Sequence, residues 1–138
     1  MNTDPVFVVD DDTDDQEFVR EIWEERGFSN PLLFFESCEE ALSELKNNGT
    51  KPFLILCDVN VPVMGGFKLK EKLLEEEGLN TKSIPFVFWS TQASNEQIKK
   101  AYNLSAHGFF IKGNTIDELT ESLSDIMNYW LRSKHPKK

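Results

Sequence analysis

Five short apolar runs punctuate this 138-residue chain: Val6-Phe7-Val8-Val9, Leu32-Leu33-Phe34-Phe35, Phe53 to Cys57, Ile84 to Trp89, and Gly108-Phe109-Phe110-Ile111. Each is followed by a segment of helical period. Hydrophobicity that is continuous rather than alternating marks strands buried on both faces, which is the pattern of a parallel sheet covered by helices. The chain therefore reads as a βα alternation repeated five times. Its 39% hydrophobic content, including eleven Phe, is enough for a core of that kind. Length and alternation together predict a single domain over residues 1–138, with a core of about 5–131. The tail from Arg132 to Lys138 carries four Lys/Arg and no acid, and it reads as a solvated terminus.

Helix starts are marked by caps. Ser37-x-x-Glu40, Ser94-x-x-Gln97 and Thr115-x-x-Glu118 fit the capping box, in which side chain and backbone satisfy each other's orphan groups. A first helix from Asp14 to about Arg26 should end at Gly27 as its C′ residue. The last helix places Ile116, Leu119, Leu123, Ile126 and Trp130 on one stripe, expected to pack on the sheet.

Consecutive βαβ units are right-handed and parallel, so the C-terminal ends of all strands share one edge, where α/β folds bind ligands. The residues that end the runs are Asp10-Asp11-Asp12, Asp58, Ser90-Thr91 and Lys112; only Glu36-Ser37 of the second run would stand apart at a sheet edge. Carboxylates from Asp10, Asp11 and Asp58 crowded in one cleft would force one toward protonation unless a cation answers them. The donors are all hard oxygens, which selects Mg²⁺, with Mn²⁺ or Ca²⁺ as substitutes, over zinc. Lys112 and the Ser90 hydroxyl would add a second cation and a hydrogen-bond donor. Such a set suits phosphoryl transfer, with Asp58 a candidate nucleophile that becomes an acyl phosphate.

Charge and cysteine content narrow the setting. Fifteen Lys+Arg against 24 Asp+Glu give a net charge of −9, which argues against nucleic acid as a partner because such domains need a basic face. Ten of the 24 acids fall in the first 25 residues, where a signal peptide would carry bases, and no apolar run approaches the roughly 20 residues that span a bilayer. Cys38 and Cys57 lack metal-binding spacing and form no disulfide framework. A cytoplasmic location without membrane contact is expected. Asp12, Asp14, Asp15 and Glu17 read mainly as acids favouring the first helix's N-terminus. Trp89 and Cys57 read as core, and His107 as a lone histidine without ligand partners.

The strand-end residues closely resemble the receiver domain of two-component response regulators, the chemotaxis-regulator-like superfamily. The likeness covers almost the whole chain: Asp10-Asp11 after the first strand, Asp58-Val-Asn-Val-Pro62-Val-Met64-Gly-Gly66 after the third, Ser90 after the fourth and Lys112 after the fifth. It implies a flavodoxin-like, doubly wound α/β fold: a five-stranded parallel sheet of order 2-1-3-4-5 with five flanking helices. It also implies that Asp58 is the phosphoacceptor, that Asp11, Asp58 and the Asn60 backbone carbonyl hold Mg²⁺ directly, and that Asp10 acts chiefly through water. Ser90 would be the switch hydroxyl and Phe109 the switch aromatic. The phosphoryl group would come from a sensor histidine kinase or a phosphotransfer protein. A downstream protein target would then read the face formed by the fourth helix, fifth strand and fifth helix. On this reading the chain is a signalling domain rather than an enzyme, acting through a partner because no output domain follows.

Departures from the family pattern are specific. Lys112 is followed by Gly113 where the family usually has a proline with a cis peptide, and a cis non-prolyl bond costs about 2.5–4 kcal/mol. Val61 replaces a commoner Met, Phe109 lacks a tyrosine hydroxyl, and Ser105 stands where a glycine is often found, a change expected to matter little. Asn60 and Gln92 occupy positions that influence phosphoryl loss. Three rival readings exist. An EF-hand over Asp10 to Glu21 fails at Asp15, where the loop needs Gly. A haloacid-dehalogenase-like phosphatase would use Asp10 as its nucleophile. A flavodoxin-like electron carrier would need a first loop that welcomes a flavin phosphate, and Asp-Asp-Asp-Thr-Asp-Asp repels one.

Overall fold

A computed structural model describes residues 3–76 and 84–134. Five strands and five helices alternate: β1 (Val6–Val9), α1 (Thr13–Arg26), β2 (Leu32–Phe35), α2 (Cys38–Asn47), β3 (Leu54–Asp58), α3 (Gly65–Glu75), β4 (Phe86–Ser90), α4 (Asn95–Asn103), β5 (Gly108–Ile111) and α5 (Ile116–Arg132). The strands form one sheet in the order β2-β1-β3-β4-β5, parallel throughout. The βα alternation is the one the apolar runs imply, and the doubly wound strand order is the one the family resemblance implies.

The period-2 pleat divides each continuous run between two layers. Phe7, Val9, Ile55, Cys57, Phe86 and Phe88 face one side, where they pack with Ala41 and Leu45 of α2, Leu69 and Leu73 of α3, and Ala101 of α4. Val6, Val8, Leu54, Leu56, Val87 and Trp89 face the other, against Val19, Ile22 and Trp23 of α1 and Leu119, Leu123, Ile126 and Met127 of α5. The apolar stripe of α5 is thus buried at Leu119, Leu123 and Ile126, partly buried at Trp130, and 46% exposed at Ile116, its first residue.

The caps appear where the sequence puts them. Ser37, Ser94 and Thr115 each accept the backbone N–H three residues on, and Ser94 and Gln97 complete a full capping box. Asp12 caps α1 by accepting from the N–H groups of Asp14 and Asp15, and Gly27 closes that helix with φ +69°. Helix α3 lacks a side-chain cap and opens on Gly65-Gly66 instead. A Cβ on Gly66 would lie 2.6 Å from the Asp58 carbonyl oxygen, so only glycine lets α3 approach the end of β3 this closely.

The positions expected to depart from the family pattern have backbone reasons. Among the described residues there is no cis peptide, and Gly113 has φ +87°, which the fixed φ of proline cannot reach. Ser105 takes φ +63° at the end of α4, a conformation in which glycine is free and serine pays a steric cost. The residue type at 105 therefore matters more than its small size suggests.

Candidate functional site

The C-terminal ends of β1, β3 and β5 converge because β1 and β5 flank β3 and β4 in the sheet, and each delivers one charged side chain. Asp10 follows β1 and is fully buried; Asp58 ends β3 with its side chain 14% exposed; Lys112 follows β5 with its side chain 5% exposed. The backbone fixes all three: Asp10 N–H donates to Phe35 O at 3.0 Å and Lys112 N–H to Ser90 O at 2.8 Å, while Asp58 pairs with Trp89 in the ladder.

The Lys112 ammonium is the hub. Its Nζ donates to Asp10 Oδ2 at 2.9 Å, Asp58 Oδ2 at 2.8 Å and Asp15 Oδ2 at 2.7 Å, and lies 4.7 Å from the centre of the Trp89 ring. Trp89 thus forms the floor under the cation as well as part of the core. The second oxygens of Asp10 and Asp58 are also engaged, since Asp10 Oδ1 accepts the Asp12 N–H at 2.9 Å and Asp58 Oδ1 the Asn60 N–H at 3.0 Å. Gln16 Nε2 donates to the Asp10 carbonyl at 2.8 Å.

Burial pushes the Asp10 carboxyl up to about 7, although Lys112 and the Asp12 N–H pull the other way. Burial would likewise lower Lys112, but Asp10, Asp15 and Asp58 outweigh it and hold its proton affinity above the ordinary range. The ammonium therefore stays charged among acids that outnumber it.

Of the other expected site residues, Asp11 is exposed beside the cluster and Asn60 is exposed at its rim. Ser90 is buried, and its Oγ donates to Gln92 O at 2.8 Å, toward the following loop rather than toward Asp58. Phe109 is partly buried against the α2–α3–α4 layer, 6.2 Å from the Phe88 ring. Asp15 is the residue that the sequence reading assigned elsewhere. An acid in a helix's first turn is already accounted for by the dipole; the missed signal is that helical side chains lean toward the N-terminus, here toward the strand ends. A cleft of about 220 Å³ lined by Asp15, Phe18, Thr91, Lys112 and Gly113 opens beside the ion cluster.

Whether these residues suit a divalent cation turns on donor chemistry. Asp10, Asp11, Asp58 and the Asn60 carbonyl are hard oxygen donors, and a fully buried Asp10 carboxylate gains from a second countercharge. Among the described residues no three acidic, His or Cys side chains are already arranged so that they could hold a metal ion. The donor set fits a hard cation.

The protein is thus an open parallel α/β sheet whose carboxyl edge gathers three acids around one lysine. The chain belongs to the family described as the response regulator receiver domain, whose model matches residues 6–124, and is therefore a receiver domain of two-component systems. It is 22% identical over 130 residues to the probable methanogenesis regulatory protein FilR2 of Methanothrix harundinacea, spanning 91% of this chain and 83% of that one. Its fold is similar to that of the phosphorylated cyanobacterial phytochrome response regulator RcpA, with a TM-score of 0.88 at 23% identity, covering 99% of this chain and 100% of that one. It is similar also to the Mn²⁺-bound form of the response regulator Rcp1, with a TM-score of 0.86 at 22% identity, covering 97% and 99%. Receiver domains bind divalent metal, and among the described residues no helix is long and apolar enough to cross a membrane.

Proposed function

We propose that the chain, acting as one receiver unit, accepts a phosphoryl group on Asp58. The observation that carries this is the pairing of Asp58, at the open end of β3, with the buried Lys112 ammonium at 2.8 Å. In the reaction an Asp58 carboxylate oxygen forms a bond to phosphorus as the donor's P–N bond breaks, and the electron pair leaves with the imidazole of a kinase or phosphotransfer protein. Lys112, already bonded to Asp58, would accompany the incoming phosphoryl oxygens. Asp10, Asp11, Asp58 and the Asn60 carbonyl would hold Mg²⁺, which when bound offsets negative charge on the phosphoryl oxygens.

Ser90 and Phe109 would carry the response. For Ser90 this requires its hydroxyl to leave the Gln92 carbonyl. The α4–β5–α5 face exposes Tyr102, Ile111 and Tyr129, which supports a protein target there, and the chain's acidity disfavours nucleic acid. A cytoplasmic setting goes with this reading.

The phosphatase reading is the weaker one, because Asp10 is fully buried with both oxygens engaged. The test is incubation with a phosphorylated donor and Mg²⁺, followed by mass analysis of the intact chain. One phosphoryl group should appear in the wild type, disappear in Asp58→Asn and remain absent in EDTA. Label retained in Asp58→Asn but lost in Asp10→Asn would transfer the nucleophile's role to Asp10.

A further inference from the structure

Lys112 has three N–H groups, and all three are taken, by Asp10, Asp15 and Asp58. Of the three acceptors Asp15 is the closest, at 2.7 Å, and the only one on a helix rather than at a strand end. The α1 N-terminus does not need it, since Asp12 already caps the Asp14 and Asp15 N–H groups. Its side chain is 18% exposed and lines the cleft beside Lys112.

A phosphoryl group arriving at Asp58 brings further negative charge into a pocket where one ammonium already answers three carboxylates, and it needs an N–H from that ammonium. If the N–H now given to Asp58 Oδ2 passes to a phosphoryl oxygen, Asp15 still claims the same ammonium and sets its own negative charge beside that oxygen. We propose that Asp15 is a positioning residue that competes with the phosphoryl group for Lys112 and so favours the unphosphorylated form of the site. The inference rests on Asp58 being the phosphoacceptor.

The experiment titrates the full chain with beryllofluoride, a phosphoryl mimic, at saturating Mg²⁺, and separately with Mg²⁺ alone. Tryptophan fluorescence is the readout, since Trp89 lies directly beneath the ammonium. Asp15→Asn, nearly isosteric, and Asp15→Ala should both bind beryllofluoride more tightly, by about tenfold, the scale of one charge-assisted hydrogen bond. Both should bind Mg²⁺ alone more weakly, because a negative charge has left the pocket. A merely structural role would weaken both ligands together, and that result would overturn the proposal, as would beryllofluoride affinity unchanged from wild type. Circular dichroism and a melting curve establish that the variants are folded. Wild-type protein that binds no beryllofluoride, or binds it equally well as Asp58→Asn, would instead remove the phosphoacceptor reading itself.

Discussion

Lys112 is buried beside three acids, and the cost of removing it follows from what it leaves behind. Breaking a buried ion pair by deleting one partner costs about 3–5 kcal/mol because the other charge stays buried and uncompensated. Lys112→Ala should lose stability on that scale in urea unfolding, and the double variant Lys112→Ala/Asp10→Asn should recover part of it. Full additivity of the two losses would mean that the two side chains do not answer each other. His107 supplies a second residue-scale expectation. Its Nδ1 accepts the Phe86 N–H at 3.0 Å, and burial, then the nearby Lys70 charge, lower its proton affinity from 6.5. A base depressed in the folded state takes up protons on unfolding, so its contribution is full above pH 6.5 and declines as pH falls toward its folded value. His107→Asn should therefore show a flatter stability profile between pH 7 and 5. At this scale the sequence revealed Asp10, Asp58 and Lys112 because each ends an apolar run. It concealed Asp15, since an acid in a helix's first turn has a sufficient local explanation, and it could not reveal the Ser90 hydroxyl's direction, which the following loop decides.

At the scale of elements, strands were legible because burial on both faces leaves an uninterrupted apolar signature, and β1, β2 and β5 have the expected limits. The ends of β3 and β4 run one residue further, to Asp58 and Ser90, because the ladder continues through polar residues that hydrophobicity alone stops short of: Asp58 pairs with Trp89 and Ser90 with Ile111. The β3–α3 connection was legible only as a motif, and its geometry gives the motif reasons. Gly66→Ala would press a methyl group against the Asp58 carbonyl, with Cys57 and Phe88 also close, and should cost about 1–3 kcal/mol as an overpacked site. In the same connection Val63 has φ +70° and is 98% exposed, a β-branched residue in a region that disfavours it. Val63→Gly should raise the unfolding midpoint, by about 1 kcal/mol in free energy. A lowered midpoint would mean that the left-handed turn is not kept in solution.

The whole molecule enters through the way the site is assembled. No single element holds it: β1, β3 and β5 contribute Asp10, Asp58 and Lys112, α1 contributes Asp15, and the register of the sheet aligns their ends. An unfolded chain has none of this alignment, so a cation that binds the gathered acids binds the folded state alone and stabilises it by mass action, by about 2.7 kcal/mol at a hundred times its dissociation constant. The net charge of −9 gives a competing explanation, in which any divalent ion screens general acidity. The two differ in their dependence on particular residues. If the site is responsible, Mg²⁺ should raise the melting temperature of the wild type, do so much less for Asp10→Asn and Asp11→Asn, and act undiminished on Glu44→Gln, whose acid lies on α2 and bonds Thr50 and Asn48 instead. If screening is responsible, the three variants should respond alike, because each removes one charge from the same total. Calcium and manganese, which suit the same oxygen donors, should also stabilise the wild type, whereas raising monovalent salt to equal ionic strength should not reproduce the residue dependence.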